Sequence, residues 1–281
     1  MDQSVNRRSA LPLLMGVVNV TPDSFSDGGR WATAETAVKH GRDLLDDGAD
    51  VLDIGGESTR PGATRPLVEE ELDRVVPVIR ELASEGAAVS VDTMRAEVAA
   101  AALAAGASIV NDVSGGLADP RILDVVADTE ATYVCMHWRA HSVHMNQHAV
   151  YDGPGGVVGA VRAELLERVE ALHAAGVPDG RIVLDPGLGF AKRAEHNWAL
   201  LAGLAELQEL GFRLLVGASR KSFLGTLLAD RAGEPRPVDD REDATTALTV
   251  LVAQQHVWGL RVHDVRASRD ALRTLARWQE G

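Results

Sequence analysis

The sequence predicts an α/β protein folded as a (β/α)8 TIM barrel in a single domain. Three observations carry that reading. A short apolar run, a polar loop and an amphipathic stretch recur eight times along 281 residues, an ordinary length for one such barrel. Apolar residues make up 46% of the chain but aromatics only 4%, the surplus being Val, Leu and Ala; that bias suits parallel strands covered by alanine-rich helices. Several amphipathic stretches stop at a glycine (Gly48, Gly86, Gly106, Gly176, Gly211), which supplies the left-handed turn past a helix end.

Taken in order, the first strand is Leu13–Val18, followed after a long loop by a helix at about Thr33–Asp47. Val51–Ile54 is followed by Val68–Glu85, whose charged face lies over an apolar one and needs no function. Ala88–Val91 leads to the alanine-rich Arg95–Ala105, and Ser108–Val110 to Pro120–Asp128. Thr132–Met136 precedes the loop "RAHSVHMNQHAVYDGPGG" and the helix Gly155–Ala175. Ile182–Leu184 leads to Ala194–Leu210. Leu214–Val216 leads, past a surface loop at Arg231–Asp240, to Arg241–His256. A last short strand within Gly259–Asp264 precedes Ala267–Gln279. An open doubly wound sheet is the rival, but no glycine-rich dinucleotide fingerprint follows the first strand.

Residues 1–12 read as a disordered tail and 13–281 as the barrel domain. The early apolar run is too short for an export signal and lacks a small-residue cleavage pattern. No run approaches the ~20 residues of a membrane span. The lone Cys135 forbids a disulfide within the chain, fits a reducing, cytoplasmic setting, and reads as a small buried hydrophobe. A net charge of −13 argues against nucleic acid. An anionic ligand would need local cations, a metal or helix N-termini.

A barrel places its chemistry at the carboxyl ends of its strands. Polar residues gather there. Asn19, Asp23 and Asp27 follow strand one; Glu57, Ser58, Thr59 and Arg60 follow strand two. Asp92 ends strand three, Asn111 and Asp112 strand four, and His137 strand five. Asp185, Phe190 and Lys192 follow strand six, Ser219 to Ser222 strand seven, and Arg261, His263 and Asp264 lie at strand eight. An Asp or Ser in such a place commonly caps the next helix, but Arg, Lys and His are poor caps, so capping does not explain the set.

Chemically the set divides. Asp92, Asn111 and Asp185 can pair with the N–H and NH₂ edge of a flat guanidine-like heterocycle, with Lys221 donating to a ring carbonyl or nitrogen. Arg60, Arg261 and His263 read as a clamp for a charged leaving group. Asn19 offers a hard oxygen suited to Mg²⁺.

In this order, "MGVVNVTPDSFSDGG", "VLDIGGESTRPGA", "VSVDTMRAEVA", "IVNDVSGG", "VLDPGLGFAK", "VGASRKSFLG" and "RVHDV" resemble the dihydropteroate synthase family, the folate-pathway enzymes inhibited by sulfonamides. "MHWRA" and "HNWA" are most similar to actinobacterial forms. The resemblance spans nearly the whole chain. It implies a homodimeric, Mg²⁺-requiring transferase that joins p-aminobenzoate to 6-hydroxymethyl-7,8-dihydropterin diphosphate and releases diphosphate. It also implies that Asp92, Asn111, Asp185 and Lys221 hold the pterin, with Val113 and Met136 lining it. The diphosphate would fall to Asn19, Thr59, Arg60, Arg261 and His263, with the metal bridging from Asn19. Thr59, Pro61, Phe190, Lys221 and Ser222 would shape the p-aminobenzoate pocket, and Asp27 would approach the reacting carbon. Asp27, Lys221, Arg261 and His263 are thus the catalytic candidates.

Plainer roles stand beside these. His137 reads equally as a packing residue with one hydrogen bond. His141, His144 and His148 lack a helix to align them as metal ligands. Trp198, Trp258 and Trp278 read as core or interface, and Asp112 as a brace for its loop. Two other functions remain open: a pterin-dependent methyltransferase, which needs no diphosphate clamp, and a non-catalytic paralogue, which would have lost part of the loop set.

Overall fold

A computed structural model describes residues 11–21, 30–57, 65–141 and 145–280. Eight strands close into a barrel in sequence order: β1 (Leu13–Asn19), β2 (Val51–Gly55), β3 (Val89–Asp92), β4 (Ile109–Asp112), β5 (Thr132–Met136), β6 (Ile182–Asp185), β7 (Arg213–Val216) and β8 (Gly259–Val262). Neighbours are parallel throughout, and β1 pairs with both β2 (Met15 opposite Val51) and β8 (Leu13 opposite Gly259). Around them run α1 (Arg30–Asp46), α2 (Val68–Ser84), α3 (Ala96–Ala104), α4 (Arg121–Ala127), α5 (Gly156–Ala174), α6 (Ala194–Ala202), α7 (Leu204–Gln208), α8 (Ser222–Leu227), α9 (Glu242–Ala253) and α10 (Val265–Glu280).

The period of two along each strand splits the core. Outward residues such as Leu14, Leu52, Ile54, Val89, Val91, Leu184, Val216 and Leu260 pack against the helices. Inward residues Met15, Val51, Ile109, Val134, Val183 and Leu215 fill the barrel, with Trp258 beneath them. Each fully buried aliphatic side chain of these layers stabilises the fold by about 1.5–3 kcal/mol. Two residues further along the same inward faces stand Asp53, Asn111, Met136 and Asp185. The alternation that builds the apolar plug thus delivers polar side chains to its upper surface.

The structure departs from the sequence reading in small ways. The helix expected over Ala194–Leu210 is broken at Gly203, where a Cβ would lie 2.9 Å from Val158 Cγ2. Helix α8 was not foreseen, and a 3₁₀ turn at Met145–His148 sits in the long loop after β5. Trp278 is exposed at 83%, so it is no core residue. Of the expected tail, only Leu11 and Pro12 lie among the described residues.

Candidate active site

Arg261, from β8, is the hub of the barrel mouth. Its Nε donates to Asp53 Oδ2 at 2.6 Å and its Nη2 to Asp92 Oδ2 at 2.7 Å. Asn111 Nδ2 donates to the same Asp53 oxygen at 2.9 Å. Burial disfavours the Arg261 charge, but Asp53 and Asp92 more than compensate and hold the guanidinium above its ordinary value. Burial pushes the Asp92 carboxyl up, with Arg261 opposing. The leaving-group clamp and the heterocycle acceptors, separate in the sequence reading, therefore touch through Arg261 and Asp92. Sequence reasoning missed Asp53, which is fully buried and whose Oδ1 has no partner among the described residues. Its signal was present: an Asp at an inward position of the apolar strand "VLDIG" requires a cation or donor.

Asp185 ends β6, buried, and accepts the Gly187 amide at 2.7 Å. Burial raises its pKa against the pull of Lys221. Lys221 reaches in from the loop after β7 because Arg220 adopts φ 58, a left-handed conformation. The Arg220 guanidinium turns outward onto Glu242, 2.7 Å away, while its backbone N–H donates to Thr245 Oγ1 at 3.1 Å. Lys221 Nζ then donates to the Leu188 carbonyl and stands 4.7 Å from the centre of the Phe190 ring. Burial pushes this ammonium down to about 8, opposed by Asp185. The close pass needs Gly189, where a Cβ would meet Lys221 Cδ at 3.0 Å.

Val113 and Met136 join Met94 in a small apolar cluster beside the polar set, with Trp138, Ala118 and Phe190 packed against it. Met94 and Trp138 were not singled out from sequence. Asp112 braces its loop as expected, accepting from Ser114 N and Oγ, Gly116 N and the Tyr133 hydroxyl. His263 is tied to Ser219: Ser219 Oγ lies 2.9 Å from Nδ1 and accepts the His263 backbone N–H at 3.2 Å. Asn19 is half-buried at the end of β1 opposite Gly55. Ser222 is exposed at the start of α8. Asp27, Thr59, Arg60 and Pro61 lie outside the described residues, as do Asp23, Ser58 and His144.

His137 is more than a packing residue with one bond. Its Nε2 meets Glu164 Oε2 and its Nδ1 meets Lys192 Nζ, each at 2.9 Å. Among the described residues no group of three His, Cys, Asp or Glu side chains is placed to hold a metal.

The family described as "Pterin binding enzyme" matches residues 15–263, from β1 to His263 just past β8. This chain belongs to the pterin-binding enzyme family. As a pterin-binding enzyme it is 53% identical over 267 residues to the dihydropteroate synthase of Mycobacterium leprae, covering 94% of this chain and 93% of that one. Dihydropteroate synthase of Xanthomonas albilineans, solved with 4-aminobenzoic acid, superposes with a TM-score of 0.87 at 46% identity, covering 96% of this chain and 94% of that one. The enzyme of the same organism in complex with 7,8-dihydropteroate gives 0.83 at 43% identity, with 96% and 95% covered.

Proposed function

We infer that this chain is a dihydropteroate synthase, an alkyl-group transferase that joins p-aminobenzoate to 6-hydroxymethyl-7,8-dihydropterin diphosphate and releases diphosphate. The observation that carries the reading is the single polar layer of Asp92, Asn111, Asp185, Lys221 and Arg261 above the apolar plug of the barrel. A flat, donor-rich ring meets two carboxylates, an amide and an ammonium there, with Val113 and Met136 against its faces. Phe190 and Ser222, with Thr59 and Pro61, form the p-aminobenzoate side. Asn19, Thr59, Arg60, Arg261 and His263 hold the diphosphate.

In the reaction the exocyclic C–O bond breaks and its electron pair leaves with diphosphate. The electron-rich dihydropterin spreads the positive charge left behind, and Asp27 stabilises it electrostatically. The arylamine lone pair then forms the C–N bond, and the nitrogen sheds its proton to water. The amine is neutral near pH 7, so no strong base is required. Arg261 and His263 meet the charge growing on the leaving group.

The donor set fits Mg²⁺ in one specific way. Asn19, half-buried at the end of β1, would offer its amide oxygen to the ion, a hard donor of the kind Mg²⁺ takes alongside phosphate oxygens and water. When bound, the ion would supply positive charge to the diphosphate.

We read the enzyme as a cytoplasmic homodimer. The exposed Leu227 and Leu251 on α8 and α9 support an apolar contact surface, and the free, buried Cys135 fits a reducing compartment. Among the described residues no helix is long and apolar enough to cross a membrane.

The test is diphosphate release by the purified chain. Release that requires both p-aminobenzoate and Mg²⁺, with dihydropteroate as product, is expected. Absence of product, or transfer of a methyl group from a folate instead, would sink the reading.

A further inference from the structure

Lys192 follows Phe190 by two residues, yet its side chain leaves the mouth and is buried behind the loop after β6. Among the described residues its Nζ has two hydrogen-bond partners, the Phe190 carbonyl at 3.1 Å and His137 Nδ1 at 2.9 Å, and neither is a carboxylate. Burial, reinforced by the nearby Lys221, lowers its pKa to about 7. An ammonium buried on two neutral acceptors is costly unless its donors are needed there.

The donors run in one direction. Glu164, half-exposed on α5, receives Arg139 through Nε at 3.0 Å and through Nη2. Against the effect of burial, His137 and Arg139 hold its carboxyl down to about 2, so it is an acceptor only. His137 must therefore carry its proton on Nε2 and offer the Nδ1 lone pair inward, where Lys192 donates. Burial first, and Lys192 second, keep that ring neutral, with a pKa near 4. The far end of the chain is the backbone of Phe190.

A second tie holds the same loop. Tyr151, packed under the Arg139 guanidinium at 4.0 Å, donates its hydroxyl to the Ala191 carbonyl at 3.0 Å. Ala191 has φ 48, a left-handed conformation that an alanine seldom adopts unless its surroundings hold it there. That turn sends the Phe190 ring toward Lys221 and the Lys192 side chain to the rear. The residues after β5 thus clamp both sides of Ala191.

We propose that Glu164, His137 and Lys192 form a positioning chain that sets the loop carrying Phe190 and thereby the p-aminobenzoate side of the site. The proposal rests on the synthase reading above. None of the three touches the reacting atoms in this account. They act through the Phe190 backbone.

The experiment is steady-state kinetics of the full chain with Mg²⁺ and both substrates, on Lys192→Met and Glu164→Ala. Each should raise KM for p-aminobenzoate by about fivefold or more while KM for the pterin diphosphate stays within about twofold. His137→Gln keeps a donor for Glu164 and an acceptor for Lys192, so it should retain much of the wild-type KM, whereas His137→Leu should not. Nitrogen-15 spectra of imidazole-labelled protein should show a neutral Nε2–H ring for His137 whose Nδ1 signal moves in Lys192→Met. If Lys192→Met does not fold, the half-exposed Glu164→Ala decides. An unchanged KM for p-aminobenzoate, or both KM values rising together, overturns the proposal. A wild-type chain that makes no dihydropteroate faults the functional reading instead, while the imidazole signature still reports whether the chain exists.

Discussion

Asp53 shows what one buried carboxylate does at this site. A single oxygen receives both Arg261 and Asn111, so it fixes a cation and an amide with one anchor. Removing one partner of a buried ion pair typically costs about 3–5 kcal/mol, and Asp92 still holds the guanidinium here. Asp53→Asn should therefore destabilise by about 3 kcal/mol in urea unfolding and reduce kcat/KM, because Arg261 swings toward Asp92. Ser219 does a comparable service for His263. Ser219→Ala should cost only about 1 kcal/mol of stability but lower kcat/KM by about tenfold, since the ring loses its fixed rotamer. Asp92, Asn111 and Asp185 were legible in the sequence because each closes an apolar run. Asp53 sits inside such a run, where only the count of inward positions marks it. Lys192 and Glu164 lie on different elements and are joined through His137, so no local sequence pattern links them.

At the scale of elements, tight passages between loops decide the geometry. Gly187 has φ 67, and a Cβ there would lie 2.3 Å from the His137 carbonyl oxygen. Gly187→Ala meets both a disfavoured left-handed backbone region and a backbone clash. It should destabilise by about 2–4 kcal/mol in thermal unfolding and displace Asp185, whose carboxylate accepts the Gly187 amide. The strands and long helices were legible because their periods of two and 3.6 persist for enough residues. Helix α8, at six residues, is under two turns and shows no period. The break at Gly203 lies where the Val158 methyls of α5 leave no room for a Cβ, a contact between distant segments that sequence alone does not display.

The whole molecule couples this clamp to pH. His137 is held near 4, below its ordinary 6.5, by burial and then by Lys192. Between those values the unfolded chain binds the proton and the folded chain does not, so stability falls as pH drops from 6.5 through 4. Glu164, depressed to about 2 from 4.5, contributes stability that is present above 4.5 and lost as pH falls through 2. Melting temperature against pH should therefore fall through this acid window in the wild type and less steeply between pH 6.5 and 4 in His137→Gln. An unchanged slope in the variant would mean that the ring is already charged in the folded state.

The barrel joins these scales by ending the inward rows of β2, β4 and β6 in Asp53, Asn111 and Asp185 rather than in more hydrocarbon. The most direct check is calorimetric titration of an oxidised pterin, 6-hydroxymethylpterin, into the wild-type chain and Asp185→Asn. A single site per chain is expected, with a Kd that rises about thirtyfold or more in the variant, as for the loss of a charged hydrogen-bond acceptor. Equal affinity in the two proteins, with both still folded, would contradict it.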